Sequence, residues 1–366
     1  MTHVLDITVI GLSLSSSWGN GHATTFRALM RGLDRLGHRL SFFERNMPWY
    51  AQHRDLPQPA FCELCLYNDV NQLEAEHGER IRRADLVLVG SFVPEGIAVI
   101  DRVAELARGK LCFYDIDTPV TLAKLRAQAC DYLAARQIDL FDIYFSFTGG
   151  PTLQRLRNEF GARRAEPLYC SVDECRYAPT GEAPLWDLGY MGTYSADRQA
   201  PLERLLIEVA RRMPERRFVV AGSQFPEDIV WPQNIERIDH LPPAKHASFY
   251  SQQRFTLNLT RADMIAAGWS PSVRLFEAAA CGCPAISDYW PGLEDFFTPG
   301  EAIHVAASTE DICSTLAGSS EAERLTIAQN ARDCVLSGHT GVARARGLVG
   351  ALSSVTTSAR AWVQAA

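Results

Sequence analysis

The chain has 366 residues and a formal net charge of −7, set by 36 Lys and Arg against 43 Asp and Glu. That length exceeds one ordinary core and suits two α/β domains of about 150 residues each. A hydrophobic fraction of 47% with 22% charged excludes a disordered chain. The acidic balance leaves no basic field for nonspecific nucleic-acid binding, although a local basic groove stays open. No apolar run is long enough to span a bilayer, and residues 1–11 lack the basic start and cleavage site of a leader, so a cytoplasmic address is expected. The ten cysteines are scattered, and Cys112, Cys170, Cys281 and Cys283 lie in or beside apolar segments, which suits buried reduced thiols. Cys62 and Cys65 form one CxxC with no second pair at zinc spacing.

In chain order, residues 5–11 read as a first parallel strand, followed by a loop at 12–21 rich in Ser and Gly. Phe26, Leu29, Met30, Leu33 and Leu36 recur at helical spacing, and Gly37 ends that helix. A strand at 40–44 completes a βαβ unit. Residues 46–69, with Pro48, Pro57, Pro59, Trp49, Tyr50, Phe61 and Tyr67, read as a long excursion at the surface or a cleft. Strands at 86–90, 111–115 and 143–147 follow, with helical patterns at 97–107 and 122–135 and a last helix at 149–160.

After a connection at 167–186 the alternation restarts. Strands are expected at 188–191, 217–221, 235–238, 255–259, 284–287 and 302–305, with helices at 201–212, 244–252, 272–281 and 311–316. Two further helices, 322–336 and 342–352, precede a tail. The pattern predicts an α/β protein with two Rossmann-like domains facing each other across a cleft. The expected boundaries are 1–168 for the first domain, 169–187 for a linker, 188–336 for the second and 337–366 for the final helix and tail.

The stretch from Ser270 to Asp288, SPSVRLFEAAACGCPAISD, reads as helix, tight turn and strand. Ser270 offers an N-cap, Pro271 suits the first helical position, and Cys281 to Pro284 stop the helix. Arg274 and Glu277 then share a face near its positive end. Backbone N–H groups with the Ser270 and Ser272 hydroxyls would meet a diphosphate, Arg274 would add charge, and Glu277 would accept from ribose hydroxyls. A capped core helix with a surface Arg–Glu pair is the plainer possibility.

That run resembles the donor-site motif of GT-B glycosyltransferases, particularly their CgeB-like branch related to spore-maturation proteins. Three segments fit the same branch: Tyr114 to Pro119 (YDIDTP), Phe147 to Gly150 (FTGG) and Leu188 to Arg198 (LGYMGTYSADR). The resemblance implies a nucleotide-sugar donor on the second domain, an acceptor of unknown identity on the first, and no resident cofactor. It matches Glu277 to a ribose contact, Arg274 and the Ser270 to Ser272 turn to phosphate-side positions, and Gly192 and Thr193 to the first loop of the donor domain. Many retaining enzymes of this fold carry another glutamate eight residues before the ribose one. Here that position is Trp269, which leans the expectation toward inversion.

Transfer needs a base for the acceptor hydroxyl and a neutralised leaving diphosphate. His22, where the first loop meets its helix in Gly19-Asn20-Gly21-His22, is the candidate base, with Asp117 as its orienting partner. Inverting transferases of the plant-glucosyltransferase type have a glycine-histidine pair at this place. A plainer role for Asp117 is to cap the helix beginning near Thr118. Asp115 and Asp117 spell DxD, a metal motif of a different transferase fold, in a setting that does not need a metal. Asp115, Asp263 and Asp288 are possible sugar or acceptor contacts, and His240 sits where a nucleobase is met.

The main rival is an NAD-dependent oxidoreductase, with Gly19 and Gly21 as part of GxGxxG and Glu44 as the ribose acid. Thr24 stands in place of the third glycine, and the glycines follow their strand too late. Two more rivals are a nucleotide-sugar epimerase of the same fold and a binding protein without catalysis.

Overall fold

A computed structural model describes residues 3–18 and 21–354; Gly19 and Asn20 of the first loop, and the tail from 355, lie outside the described residues. The chain divides into two compact units, Met1–Cys170 with Gly341–Ala366, and Ser171–Thr340.

The first unit alternates strands and helices: β1 (Asp6–Gly11), α1 (His22–Arg35), β2 (Arg39–Arg45), α2 (Pro48–Ala51), β3 (Glu63–Tyr67), α3 (Val70–Arg83), β4 (Leu86–Gly90), α4 (Gly96–Leu106), β5 (Lys110–Asp115), α5 (Thr118–Arg126), β6 (Ile143–Ser146), α6 (Pro151–Asn158) and β7 (Ala165–Pro167). All seven strands are parallel in the order β3-β2-β1-β4-β5-β6-β7. A parallel sheet needs cover on both faces, so its strands carry apolar residues at odd and even positions alike. Val87 and Val89 pack on the face holding α3 and α4, while Leu86 and Leu88 pack with Phe26, Met30 and Leu33 of α1 on the other.

The second unit contains β8 (Trp186–Met191), α7 (Ala196–Leu202) continuing through 203–207 into α8 (Glu208–Arg212), β9 (Phe218–Ala221), β10 (Ile235–Ile238), α9 (His246–Ser251), β11 (Gln253–Asn258), α10 (Ala262–Ala267), α11 (Val273–Ala280), β12 (Ala285–Ser287), β13 (His304–Val305), α12 (Thr309–Gly318) and α13 (Glu321–Gly338). Its six strands are also parallel, in the order β10-β9-β8-β11-β12-β13.

The final helix α14 (Gly341–Ser353) belongs to the first unit, which corrects the expected separate segment from 337. It crosses α1 where two glycines remove side chains from the contact. A Cβ on Gly341 would lie 2.1 Å from the Ala28 carbonyl oxygen, and one on Gly32 would lie 2.2 Å from that of Gly341. The expected linker also resolves differently, because the division falls after Cys170.

Other departures have local causes. The excursion at 46–69 ends in β3, a short edge strand whose buried Cys65 and Tyr67 alternate with less buried neighbours. β7 overlaps the expected connection because it contains Pro167, and an edge strand tolerates that residue. The helix expected at 122–135 is α5, which starts at Thr118 and ends at Arg126. Gly341→Ala is expected to destabilise the first unit by about 1–3 kcal/mol, because the new methyl meets backbone rather than a movable side chain. Urea unfolding followed by a probe in α1 checks this, and an unchanged midpoint would contradict close α1–α14 docking.

Candidate active site

In each sheet the strand order reverses once, between β1 and β4 and between β8 and β11. Connections from two such strands run to opposite faces, which leaves a crevice at their carboxyl ends. The candidate residues of both units lie in the loops around these crevices.

In the first unit, His22 opens α1 and Asp117 precedes α5. His22 Nε2 lies 3.3 Å from Asp117 Oδ2. Asp117 occupies the N-cap position of α5, yet its side chain makes no cap hydrogen bond and faces the imidazole instead. His22 is 6% exposed, and its buried Nδ1 has no hydrogen-bond partner among the described residues. With the Nε2 proton on Asp117, Nδ1 carries the lone pair that a base requires.

Asp115 is fully buried. Its Oδ2 accepts from Tyr144 Oη at 2.6 Å, and its Oδ1 accepts from Thr121 Oγ1 at 2.7 Å and from the Asp117 amide at 3.3 Å. Both oxygens are engaged inside the protein, so the structure gives Asp115 an anchoring place rather than the expected sugar contact. The same burial takes it out of a surface DxD pair. Burial pushes its carboxyl up to about 6, against the pull of the Tyr144 and Thr121 hydrogen bonds.

Glu44, the ribose acid of the oxidoreductase reading, is fully buried and accepts from the Leu14 amide, the Ser15 amide and Ser15 Oγ at 2.6, 2.8 and 2.6 Å. It fastens the first loop to β2 and has no oxygen turned to a cofactor. Gly19 of that reading lies outside the described residues. Burial pushes the Cys62 thiol up to about 12 and the Cys65 thiol up to about 11, so both are protonated at neutral pH.

In the second unit, α11 begins at Val273 with Ser272 at its N-cap, further along the chain than the Ser270 and Pro271 signals suggest. Ser272 makes no side-chain cap hydrogen bond; the Leu275 amide donates to the Ser272 carbonyl at 3.1 Å, and the Val273 and Arg274 amides are the remaining candidate anion donors. Arg274 is buried rather than displayed on the surface. Its Nε donates to the Met191 carbonyl at the end of β8, and its Nη1 donates to Asn258 Oδ1 at the end of β11 at 3.0 Å. It thus spans the two strands of the crevice.

Gly192 follows β8 immediately, and a Cβ there would stand 3.0 Å from Arg274 Nη2. The Thr193 carbonyl accepts from Arg198 Nη2 at 2.8 Å, while the Thr193 side chain is exposed. Glu277 is 4% exposed and accepts from Tyr250 Oη at 3.2 Å. Burial raises its carboxyl above the usual range, opposed by the His246 charge and by hydrogen bonds from Tyr177 and Tyr250.

Asp288 is gathered into the same region but serves the loop. Its two oxygens accept from the Thr260 amide at 2.8 Å and Thr260 Oγ1 at 2.7 Å, and burial raises its carboxyl. Asp263 is exposed in the first turn of α10, and His240 is exposed in the loop after β10.

Arg198 and Arg261 join the site without having been expected there from sequence. Asp197 Oδ2 accepts from the Ala262 amide at 3.1 Å, which ties the start of α7 to the start of α10 and carries the two arginines together. Arg198 Nε is buried without a hydrogen-bond partner among the described residues. Burial pulls the Arg198 guanidinium below its ordinary value, and the like charges of Arg274 and Arg261 pull it further. Three guanidinium groups therefore gather where β8 and β11 end, with Asp197, Glu277 and Asp288 as nearby carboxylates. Arg198 closes the LGYMGTYSADR segment, so a signal was present; Arg261 follows β11 without a motif.

Residues 198–350 match a family model described as Glycosyl transferase-like, a span that includes Arg198, Arg261, Arg274 and Glu277. No curated protein matches the chain. Among solved structures, sucrose-phosphate synthase from Thermosynechococcus elongatus is 12% identical over 95% of this chain and 98% of that one, with a TM-score of 0.69. The Anabaena protein HepE, solved with UDP and glucose, is 14% identical over 95% and 100%, with a TM-score of 0.66. An alpha-glucosyltransferase, solved with UDP-glucose and DNA containing an abasic site, is 11% identical over 96% and 100%, with a TM-score of 0.74. The fold is that of the GT-B glycosyltransferases: two parallel-sheet Rossmann-like units with C-terminal helices. No described helix is long and apolar enough to cross a membrane.

Asp115 generates a pH prediction. Its native carboxyl holds a proton between its ordinary 3.8 and about 6, where the unfolded chain has released it. Stability from this group is therefore present at low pH and is lost as pH rises across that window, by about 3 kcal/mol at most. Asp115→Asn should flatten the stability slope between those two pH values in urea titrations. A slope equal to that of the unaltered protein would contradict the assignment.

Proposed function

We propose that the protein is a glycosyltransferase that moves a sugar from a nucleotide-diphosphate donor to an acceptor hydroxyl, within the CgeB-like branch by its YDIDTP, FTGG and LGYMGTYSADR segments. The observation that carries the reading is the arginine cluster of the second unit. Arg198 is desolvated beside the like charges of Arg274 and Arg261, and its buried Nε has no partner among the described residues, a cost that a bound anion would offset. A diphosphate supplies that charge, and the uncapped start of α11 adds backbone donors. The same groups would stabilise the leaving diphosphate as the glycosidic bond breaks, without a metal in that role. The family match over the second unit and the fold shared with structures holding UDP and UDP-glucose support this reading.

Glu277 would accept from the ribose, held in place by Tyr250. On the first unit, His22 would take the acceptor proton while Asp117 stabilises the imidazolium. Trp269, at the position where many retaining enzymes hold a carboxylate, supplies none, so inversion is the expected stereochemistry.

Arg198→Met keeps the apolar stem and removes the charge. It should leave thermal stability unchanged or raised, because like-charge crowding is relieved, while weakening nucleoside-diphosphate binding about ten- to hundredfold. Calorimetric titration and thermal unfolding test both halves, and binding equal to that of the unaltered protein would overturn the donor site. His22→Ala should bind nucleotide normally and lose turnover across a panel of nucleotide sugars. Slow donor hydrolysis supports transfer, interconversion of sugars would favour an epimerase, and binding of NADH in place of any nucleotide sugar would favour the oxidoreductase.

A further inference from the structure

Phe92 lies two residues beyond β4, beside the crevice that holds His22, and its backbone sits at φ +62. That left-handed region is strained for a bulky side chain and persists only where the surroundings impose it. Both flanks of the turn are tied down. The Ser91 amide donates to the Tyr114 carbonyl at 2.9 Å, and Ser91 Oγ accepts from the Ile116 amide at 3.1 Å. Three residues on, Glu95 is also left-handed at φ +55 and pairs with Arg45.

The Phe92 ring is held as firmly. It stacks on Tyr132 with centroids 4.4 Å apart and planes 29° apart, and Lys124 Nζ lies 5.0 Å from its centroid. The imidazole of His22 meets it nearly at right angles, at 81° and 5.3 Å. Tyr132 is fixed in turn through its hydroxyl, 2.8 Å from Thr121 Oγ1. Thr121 gives its single proton to Asp115, so Tyr132 is the donor in that pair. One buried carboxylate therefore holds the Asp117 backbone directly and, through Thr121 and Tyr132, the ring that abuts His22.

We infer that Phe92 is the positioning residue of the His22–Asp117 pair: its strained backbone presses an aromatic ring against the imidazole, and that contact keeps Nε2 on Asp117. The inference rests on the acid–base reading of that pair, but it concerns a ring orientation that is measurable without substrate.

The test uses the full chain labelled with ¹⁵N-histidine, with His22 ring signals identified by their loss in His22→Gln. Long-range ring correlations should show His22 in one tautomer, protonated at Nε2. Phe92→Leu should give averaged ring nitrogens and lower turnover of a nucleotide sugar by about tenfold with nucleotide binding unchanged. Phe92→Tyr should restore both. If Phe92→Leu does not fold, Phe92→Met provides the same readout. A loss of thermal stability with His22 ring signals identical to those of the unaltered protein would overturn the inference and leave Phe92 a packing residue. Responsive ring signals together with full turnover by His22→Ala would uphold the positioning while refuting the acid–base reading.

Discussion

A parallel strand can leave its sheet only by a crossover, and the direction of that crossover decides where a parallel-sheet protein can work. Between β1 and β4, and again between β8 and β11, the strand order reverses and the two connections part. Each parting exposes carbonyl ends and loop backbone that no helix covers. Arg274 answers this in the second unit by donating to Met191 on one side and Asn258 on the other. Glu44 does comparable work beside the first crevice by collecting three donors from the loop that leads toward His22. A charged side chain satisfies one strand-end carbonyl and a neighbouring side-chain amide in one case, and pins the connecting loop in the other.

The charges gathered at the two crevices differ in kind. In the second unit three arginines gather with Asp197, Glu277 and Asp288 nearby, and the buried Arg198 Nε, without a partner among the described residues, is the donor a phosphate group can engage. In the first unit the charges are a buried carboxylate with every oxygen engaged and a histidine that touches one carboxylate and leaves a ring nitrogen unpaired. The former suits holding an anion, and the latter suits moving a proton.

Much of this was legible in the sequence because strand ends and helix starts leave local signatures. The buried strands β1, β4, β5, β8 and β9 are apolar runs, and the pairing of His22 with Asp117 follows from their places after β1 and β5. What was not legible depends on which side of a turn a side chain takes. Asp115 and Asp117 are two residues apart on one short segment, yet the first points into the core and the second toward His22. Ser270 and Ser272 are equally good caps by residue type, and the choice between them is made by where the chain re-enters after α10. Arg261 had no motif because its role comes from the Asp197 clip, a contact across 65 positions of sequence.

Backbone strain lies in the turns between elements. Phe92 and Glu95 follow β4, Gln224 follows β9, Trp269 lies between β11 and α11, and Gln128 follows α5; all are left-handed without being glycine. Trp269 is restrained as tightly as Phe92: its amide donates to the Pro291 carbonyl at 2.6 Å, its Nε1 donates to Asp295 Oδ2 at 2.6 Å, and Gly292 leaves room for its indole. In each unit a large aromatic residue is thus forced into an unfavourable backbone state on the path from the strand across the reversal. Such states cost about 1–3 kcal/mol each and are lost unless neighbouring contacts impose them. The contacts that impose them reach the His22 ring on one unit and the Pro291 to Asp295 segment on the other. Strain is therefore borne in the turns, and at Phe92 and Trp269 it comes with a ring fixed against its neighbours, while the strands and helices carry none of these left-handed residues.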